Sequence, residues 1–426
     1  MNGPGYNGDS PVDAEVDDQG DFDVLIAGGG LVGGSLAIAL AGTSCRVGLV
    51  EAVPPDSAAQ PSFDDRTIAL SRGSYRILNE LEVWPLIADA VWPIHKIHVS
   101  EQKRFGTALL DAEEQGIPEL GFVIKSRQLG QALWQRLGEL PGVTTFCPAR
   151  VAASEVTADL RSVTLTGAAV ESLKTKLLVV ADGARSELRS ALGIQASDRD
   201  YGQVAVVANI QVDPRYAGHV AYERFTAEGP LAILPGQDGL YTLVLARSSA
   251  TAPAVMDMPD AELLDLVQSS FGFRLGRFAR LGKRYAYPLH LITAESIVAE
   301  RAAVIGNAAH GLHPVAAQGF NLGLRDVASL GEVIADDCGL HPAAFDPGTA
   351  DVLAKYVDWR RSDQRKVVGF TDSLIRLFGI PGAPVSIGRG LGLAAFDMVP
   401  GAKQELARQT MGLSGRLSRL ARGLPL

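Results

Sequence analysis

The chain has 426 residues, 47% hydrophobic and 20% charged, enough for a large core and two or three folding units. A formal net charge of −9 with no long basic block lacks the electrostatic footprint of a nucleic-acid binder. Its three cysteines, Cys45, Cys147 and Cys338, stand too far apart for a zinc spacing or a disulfide framework, which points to a reduced, intracellular chain.

The first 23 residues carry seven acids (Asp9, Asp13, Glu15, Asp17, Asp18, Asp21, Asp23) and no Lys or Arg. Secretory and mitochondrial leaders both need basic residues. The expectation is therefore a solvated, disordered acidic tail over residues 1–21 on a bacterial cytoplasmic protein.

Val24 to Cys45 then runs for 22 residues without a charge, and about 20 apolar residues suffice to cross a bilayer. The glycines argue against a span. Six of the 22 residues are Gly, five of them between Gly28 and Gly34, and each weakens a helix by roughly 1 kcal/mol relative to Ala. The stretch reads instead as a strand Phe22–Ala27, a turn Gly28–Gly30 and a helix Leu31–Ala41. Gly28, Gly30 and Gly33 then take the places of a dinucleotide fingerprint: tight turn, close approach to a diphosphate, and packing of helix on strand. The anion would sit on unpaired N–H groups at the helix start. A second strand, "RVGLVE", ends in Glu51, 18 residues after Gly33, where a carboxylate can accept from ribose hydroxyls. A solvated strand end is the alternative for Glu51.

Further along, "IKSRQLGQALW" opens a helix with Leu129, Leu133, Trp134 and Leu137 on its apolar face. Leu177–Arg189 and Ala302–Asp326 each run an apolar strand into a small-residue turn. The fingerprint serves NAD and FAD alike. A second Gly-Asx turn far downstream, Gly306-Asn307, favours a flavin, whose ribityl chain and ring reach beyond the diphosphate and need their own supports. Between these strands, residues 201–280 alternate as a sheet that would roof such a cofactor. The helix beginning at Gly319 carries Phe320, Leu324, Val327, Leu330 and Ile334 on one face. Its start can aim N–H groups at a ring that gains negative charge on reduction. His310 and His313 invite a metal reading, but no carboxylate or cysteine stands near enough in sequence, so none is assigned. From Asp351 the chain reads as helical. Residues 403–426 combine a net charge of +4 with Leu406, Met411, Leu413, Leu417 and Leu420, which suits either a membrane-surface helix or packing on the body. There is no nucleophile elbow, Walker A loop or zinc-protease motif.

The fold expected is α/β: a discontinuous Rossmann-like cofactor domain (22–198 and 284–345), an inserted β-sheet substrate domain (199–283) and a C-terminal helical region (346–426). With these residues in view the chain resembles the FAD-dependent aromatic hydroxylases, and among them the ubiquinone-biosynthesis hydroxylase family. "FDDRTIALSRGSYRILNELEVW" is similar to its D-x-R-x-x-A-L-S segment, and "HPVAAQGFNLGLRDV" to its H-P-x-x-G-Q-G-F-N-L-G-x-R-D-V signature. "YERFTAEGPLAILP" and "FGFRLGRFARLGKRYAYPL" look most like the branch acting on 2-polyprenyl-6-methoxyphenol.

The resemblance implies an enzyme that uses NAD(P)H and O₂ to hydroxylate a polyprenylated phenol through a flavin C4a-hydroperoxide, within a ubiquinone-biosynthesis complex or at the inner membrane surface. Another ring position, another aromatic substrate, an FAD-dependent reductase and a non-catalytic scaffold remain open. The resemblance places Arg66, Arg127, Asp182, Gly306, Asn307, Pro314, Gln318, Gly319 and Asn321 against FAD, beside Gly28, Gly30, Gly33 and Glu51. Ordinary structural roles compete at three of them: an ion pair of Arg66 with Asp64 or Asp65, a plain helix start for Arg127, and a turn cap for Asp182. Two positions depart from the pattern. Asn307 stands for the usual Asp and Ala317 for the usual Gly. No catalytic base is nominated.

Overall fold

The structure is a computed structural model that describes residues 21–57, 60, 66–313, 315–340, 345–379, 388–390, 392 and 399–426. Most of the expected tail lies outside these residues, but its last acid, Asp21, and the next along the chain, Asp23, are tied to the folded body. Asp21 accepts from the Lys174 backbone N–H at 2.7 Å. Asp23 is buried in the first strand, where it pairs with Lys176 at 2.9 Å and accepts from the Arg46 N–H at 2.9 Å. Burial pushes its carboxyl up, yet these partners win and hold it below the usual carboxylate range.

The strand Phe22–Ala27 sits at the centre of an eight-stranded sheet, between Ser172–Val180 and Val47–Val50 and parallel to both. Val24, Leu25 and Ile26 are wholly buried, and each stabilises the fold by about 1.5–3 kcal/mol. An unbroken apolar run is what a strand covered on both faces needs. Val143–Phe146 extends the parallel core on one side and Ala302–Val304 on the other. The last pairing makes this unit discontinuous, because the chain leaves after Val180 and returns at Ala302 to lie beside the same strand. The helices Leu31–Ala41 and Gln318–Leu340 pack together against this core.

A nine-stranded sheet forms the second unit. Its centre is the long strand Ala196–Gln211, paired with Leu240–Ser248 and with Tyr285–Ala294, and the hairpin Val220–Thr226 and Gly229–Leu234 continues it. Its membership corrects the expected boundaries of 199–283. Lys96–Glu101 and Thr107–Asp111 from the first segment join the sheet, the former by parallel pairing to Val220–Thr226. Tyr285–Ala294 from the return segment joins it too. Edge strands leave unpaired N–H and C=O groups, and these distant segments satisfy them. One face of the sheet, with Val206, Ile210, Leu231, Ile233, Leu243 and Leu245, packs on the helices Ala252–Asp257 and Asp260–Phe271. The other face is the wall described below. A small sheet of Thr67–Ser71, Gly121–Lys125 and Trp92–Ile94 joins the two units.

The helix expected after Asp351 spans Ala350–Gly379. The C-terminal region does not form one surface helix. It forms Pro400–Thr410 and the short Arg419–Arg422, with its apolar residues turned inward. Leu406, Met411 and Leu413 pack with Leu110, Ala112 and Leu120, and Leu417 and Leu420 join the main core. Among the described residues no helix is long and apolar enough to cross a membrane.

Candidate functional site

The turn after the first strand is built by steric exclusion. Gly28 has φ +107°, and a Cβ there would lie 2.5 Å from the Ala181 carbonyl oxygen. A Cβ at Gly33 would lie 1.9 Å from the Gly28 oxygen, so only glycine lets the helix approach this closely. Gly30 begins the helix in an extended conformation and no side chain caps it. The first helical N–H groups are thus open to an anion, and Gly28, Gly30, Leu31 and Val32 line a cavity of about 840 Å³.

Glu51, 8% exposed, also borders the cavity. Its Oε2 accepts from the Gly29 N–H at 2.6 Å and its Oε1 from the Val53 N–H at 2.8 Å. Trp134 Nε1 donates to the Gly29 carbonyl at 3.0 Å. The acid therefore has a structural task of its own. It locks the glycine turn, with a tryptophan from the Ser126–Gly138 helix bracing the other side.

Asp182 and Gly183 follow the strand Ser172–Val180 and open onto the same cavity. Surrounding protein strips water from Asp182 and raises its carboxyl, although hydrogen bonding to Ser186 opposes this. Arg66 lines the cavity with its guanidinium carbon 4.9 Å from the Tyr287 ring centre. Its suggested partners Asp64 and Asp65 lie outside the described residues.

The second turn arrives from the return segment. Gly306 has φ +61° and packs on Val32, while Asn307 faces the cavity. Beneath it lies Asp326, fully buried in the long helix. Asp326 accepts from the Gly306 N–H at 3.1 Å, His310 Nε2 at 2.5 Å, Arg360 Nε at 2.8 Å and Gln364 Nε2 at 2.9 Å. Burial works to raise its carboxyl, but His310 and Arg360 overcome that and hold it far below the usual range. A charged cluster thus clamps the second turn to two helices.

His313, Ala317 and Gly319 line the cavity as well. His313 is 1% exposed, and burial lowers its pKa to about 4, so the ring is neutral at physiological pH. Its Nδ1 accepts from the Val315 N–H at 3.1 Å. Among the described residues no cluster of His, Cys, Asp and Glu is arranged to hold a metal ion.

The remaining wall is the free face of the nine-stranded sheet. Ala205, Ala221, Ala232, Leu234, Val244 and Ala246 lie along it in register. Small side chains keep the sheet surface flat and apolar, a suitable boundary for a ring.

Residues 21–368 match the family described as FAD binding domain. The chain is 37% identical to "Ubiquinone hydroxylase UbiL" of Rhodospirillum rubrum over 95% of its own length and 93% of that protein. It is 32% identical to "3-demethoxyubiquinol 3-hydroxylase" of Escherichia coli over 92% and 98% of the two chains. In fold it is similar to the p-nitrophenol 4-monooxygenase PnpA of Pseudomonas putida, with a TM-score of 0.74, 19% identity and coverage of 93% and 98%. The chain belongs to the FAD-binding domain family. It is an FAD-dependent hydroxylase.

The cavity of the hydroxylase fits that cofactor: an uncapped helix start stands beside an anchored acid, on a turn whose backbone leaves no room for a Cβ at Gly28 or Gly33. Not every expected contact faces it. Arg127 is exposed at the start of its helix and outside the lining. Asn321 is buried, accepting from the Ser71 N–H and Ser74 Oγ and donating to the carbonyls of Ala69 and Ala317. Its side chain ties the long helix to the small sheet. Gln318 is buried too and donates to the Thr410 carbonyl at 3.3 Å. Pro314 lies outside the described residues. Sequence reasoning missed the Asp326 cluster, although Asp326 stood inside the quoted signature. It also missed Trp134 as a brace, and Glu223, an acid on the sheet wall.

Proposed function

We propose that this hydroxylase acts in ubiquinone biosynthesis, using NAD(P)H and O₂ to add a hydroxyl group to the ring of a polyprenylated phenol, 2-polyprenyl-6-methoxyphenol. One observation carries the reading. The glycine turns and the flat apolar face of the nine-stranded sheet border one continuous cavity, so a cofactor held by the turns has an aromatic-sized chamber beside it.

Bound FAD would supply hydride acceptance and oxygen activation, and the remaining work belongs to the chain. The N–H groups at Leu31 and Val32 receive the diphosphate, and Glu51 accepts from ribose hydroxyls with its orientation already fixed by Gly29 and Val53. Asn307 offers both a donor and an acceptor to the ribityl chain. The start of the helix Gln318–Leu340 would offer its dipole to negative charge on a bound cofactor. Ala205, Ala232, Val244 and Ala246 exclude water, which protects a reactive oxygen species from wasteful decay.

A second reading, hydroxylation at another ring position, is favoured by the name of the Escherichia coli relative. One experiment separates these and the reductase alternative. Purified protein is given NADPH and 2-methoxy-6-prenylphenol with and without O₂, and the products are identified. A hydroxylated phenol formed only with O₂ supports the proposal, and the substitution pattern names the position. Turnover without O₂ would replace it with a reductase.

A further inference from the structure

We infer that Glu223 is a catalytic residue whose carboxylate accepts the hydroxyl proton of the bound phenol, a role that rests on the phenol reading above. Glu223 lies in the strand Val220–Thr226. In register its neighbours are Ala232 on one side and Val99 on the other. Both are apolar, as are Ala221, Val244 and Ala205 along the same face. One acid therefore interrupts a wall that otherwise offers a ring only carbon.

Among the described residues no hydrogen bond or ion pair engages this acid. Its Oε1 is buried without a hydrogen-bond partner, and no ion pair to it occurs among the described residues. A buried carboxylate kept for structure is normally paired, because desolvation without compensation is expensive. An orphan acceptor that borders a cavity is instead suited to a ligand's donor. A phenol matches it: an apolar ring for the wall and one O–H for the acid.

The charged groups around Glu223 are engaged elsewhere. Glu101, on the neighbouring strand Lys96–Glu101, pairs with Arg389 at 2.7 Å. Arg224 donates to the Ser270 carbonyl at 2.8 Å, and Tyr222 packs edge-on against Phe271. Lys96 pairs with Asp111 at 2.7 Å, and His98 contacts Arg274 at 3.0 Å. From other walls of the cavity, Arg66 lies against Tyr287 and His313 is neutral. Burial alone pushes the Glu223 carboxyl up to about 7. That keeps it able to gain or lose a proton at working pH, the condition for a general base.

The step balances within the pair. The phenolic O–H bond breaks heterolytically and its proton goes to Oε1. Both bonding electrons stay on the phenolate oxygen, enriching the ring for attack on an electrophilic oxygen atom. The carboxylate becomes a carboxylic acid. When the hydroxylated ring regains aromaticity, its ring carbon releases a proton to solvent, the C–H electron pair returns to the ring, and the phenol oxygen takes its proton back from Oε1.

The test uses FAD-loaded wild type, Glu223→Gln and Glu223→Asp. The probes are 2-methoxy-6-prenylphenol and its O-methyl ether, which has no hydroxyl proton. FAD per chain, probe affinity by perturbation of flavin absorbance, and the pH profile of product formation are measured. Wild type is expected to prefer the phenol to the ether about tenfold, with rate rising to an apparent pKa near 7. Glu223→Gln is expected to keep its FAD, lose the preference, lose that limb of the profile and slow about 10²-fold or more. Glu223→Asp should recover part of each. A Gln variant that keeps both the preference and the limb overturns the role of Glu223 while leaving the phenol reading intact. Wild type that binds the two probes equally, or neither, removes the phenol reading and the role of Glu223 with it.

Discussion

Two walls of one cavity recognise by opposite means. The turn wall uses fixed backbone groups and charge: Gly28 to Val32, Glu51 and Asp182. The sheet wall presents apolar side chains over several strands, and among the described lining residues of that face Glu223 interrupts them. The first tolerates almost no added atom, because Cβ positions there collide with backbone. The second is defined by side-chain size and can be reshaped. On the proposed function, cofactor binding and substrate choice should thus be separable by mutation.

The largest expected effect removes the clamp under the second turn. Asp326→Asn takes from buried Arg360 one of its two carboxylate partners, leaving Asp363, and takes from His310 its own; it should cost about 3–5 kcal/mol, read as a drop in unfolding free energy. On the first turn, Gly33→Ala should destabilise by about 3 kcal/mol and strip FAD from the purified protein. Gly42→Ala, exposed at the end of the same helix with nothing within 4 Å of the new Cβ, should instead gain about 0.5 kcal/mol. Equal melting temperatures for the two variants would dissolve the claim that close approach, rather than glycine content, matters.

Acid should also loosen the cavity floor. His313 has a folded pKa of about 4 against 6.5 unfolded. Below 6.5 the unfolded chain therefore binds the extra proton, and stability falls as pH drops from 6.5 toward 4. The loss from this residue approaches about 3 kcal/mol. A His313→Gln variant should show a flatter stability profile over that window.

On the sheet wall, Ala232→Leu should leave FAD content unchanged while raising KM for the phenol about tenfold, roughly 1.4 kcal/mol. Parallel loss of FAD would mean that the walls are not separable. The last effect is a gain. Ala317 holds φ +49°, a conformation that disfavours any Cβ, so Ala317→Gly should stabilise the protein by about 1 kcal/mol.

Legibility followed the range of the interactions. Phe22–Ala27 and Leu31–Ala41 could be bounded from the sequence to the residue, because apolar strand, glycines and helix form one local pattern. Glu51 was recognised, but its bond to the Gly29 N–H was not, since 22 residues separate them. The segment Lys96–Asp111 carries no mark of the sheet it joins, and its pairing with Val220–Thr226 depends on which edge is left open. Asn321 shows the converse: a motif residue beside the cavity whose side chain is consumed in bracing.

By itself the sequence determined a doubly covered parallel core and the glycine turn, because periodicity and backbone sterics act between near neighbours. Tertiary structure alone decided that Asp23 is an internal ion pair, that Leu406, Leu413, Leu417 and Leu420 face inward, and that Glu223, without a hydrogen-bond partner at Oε1 among the described residues, stands on the apolar wall. Those outcomes depend on desolvation and on partners brought from distant strands, which no local pattern encodes.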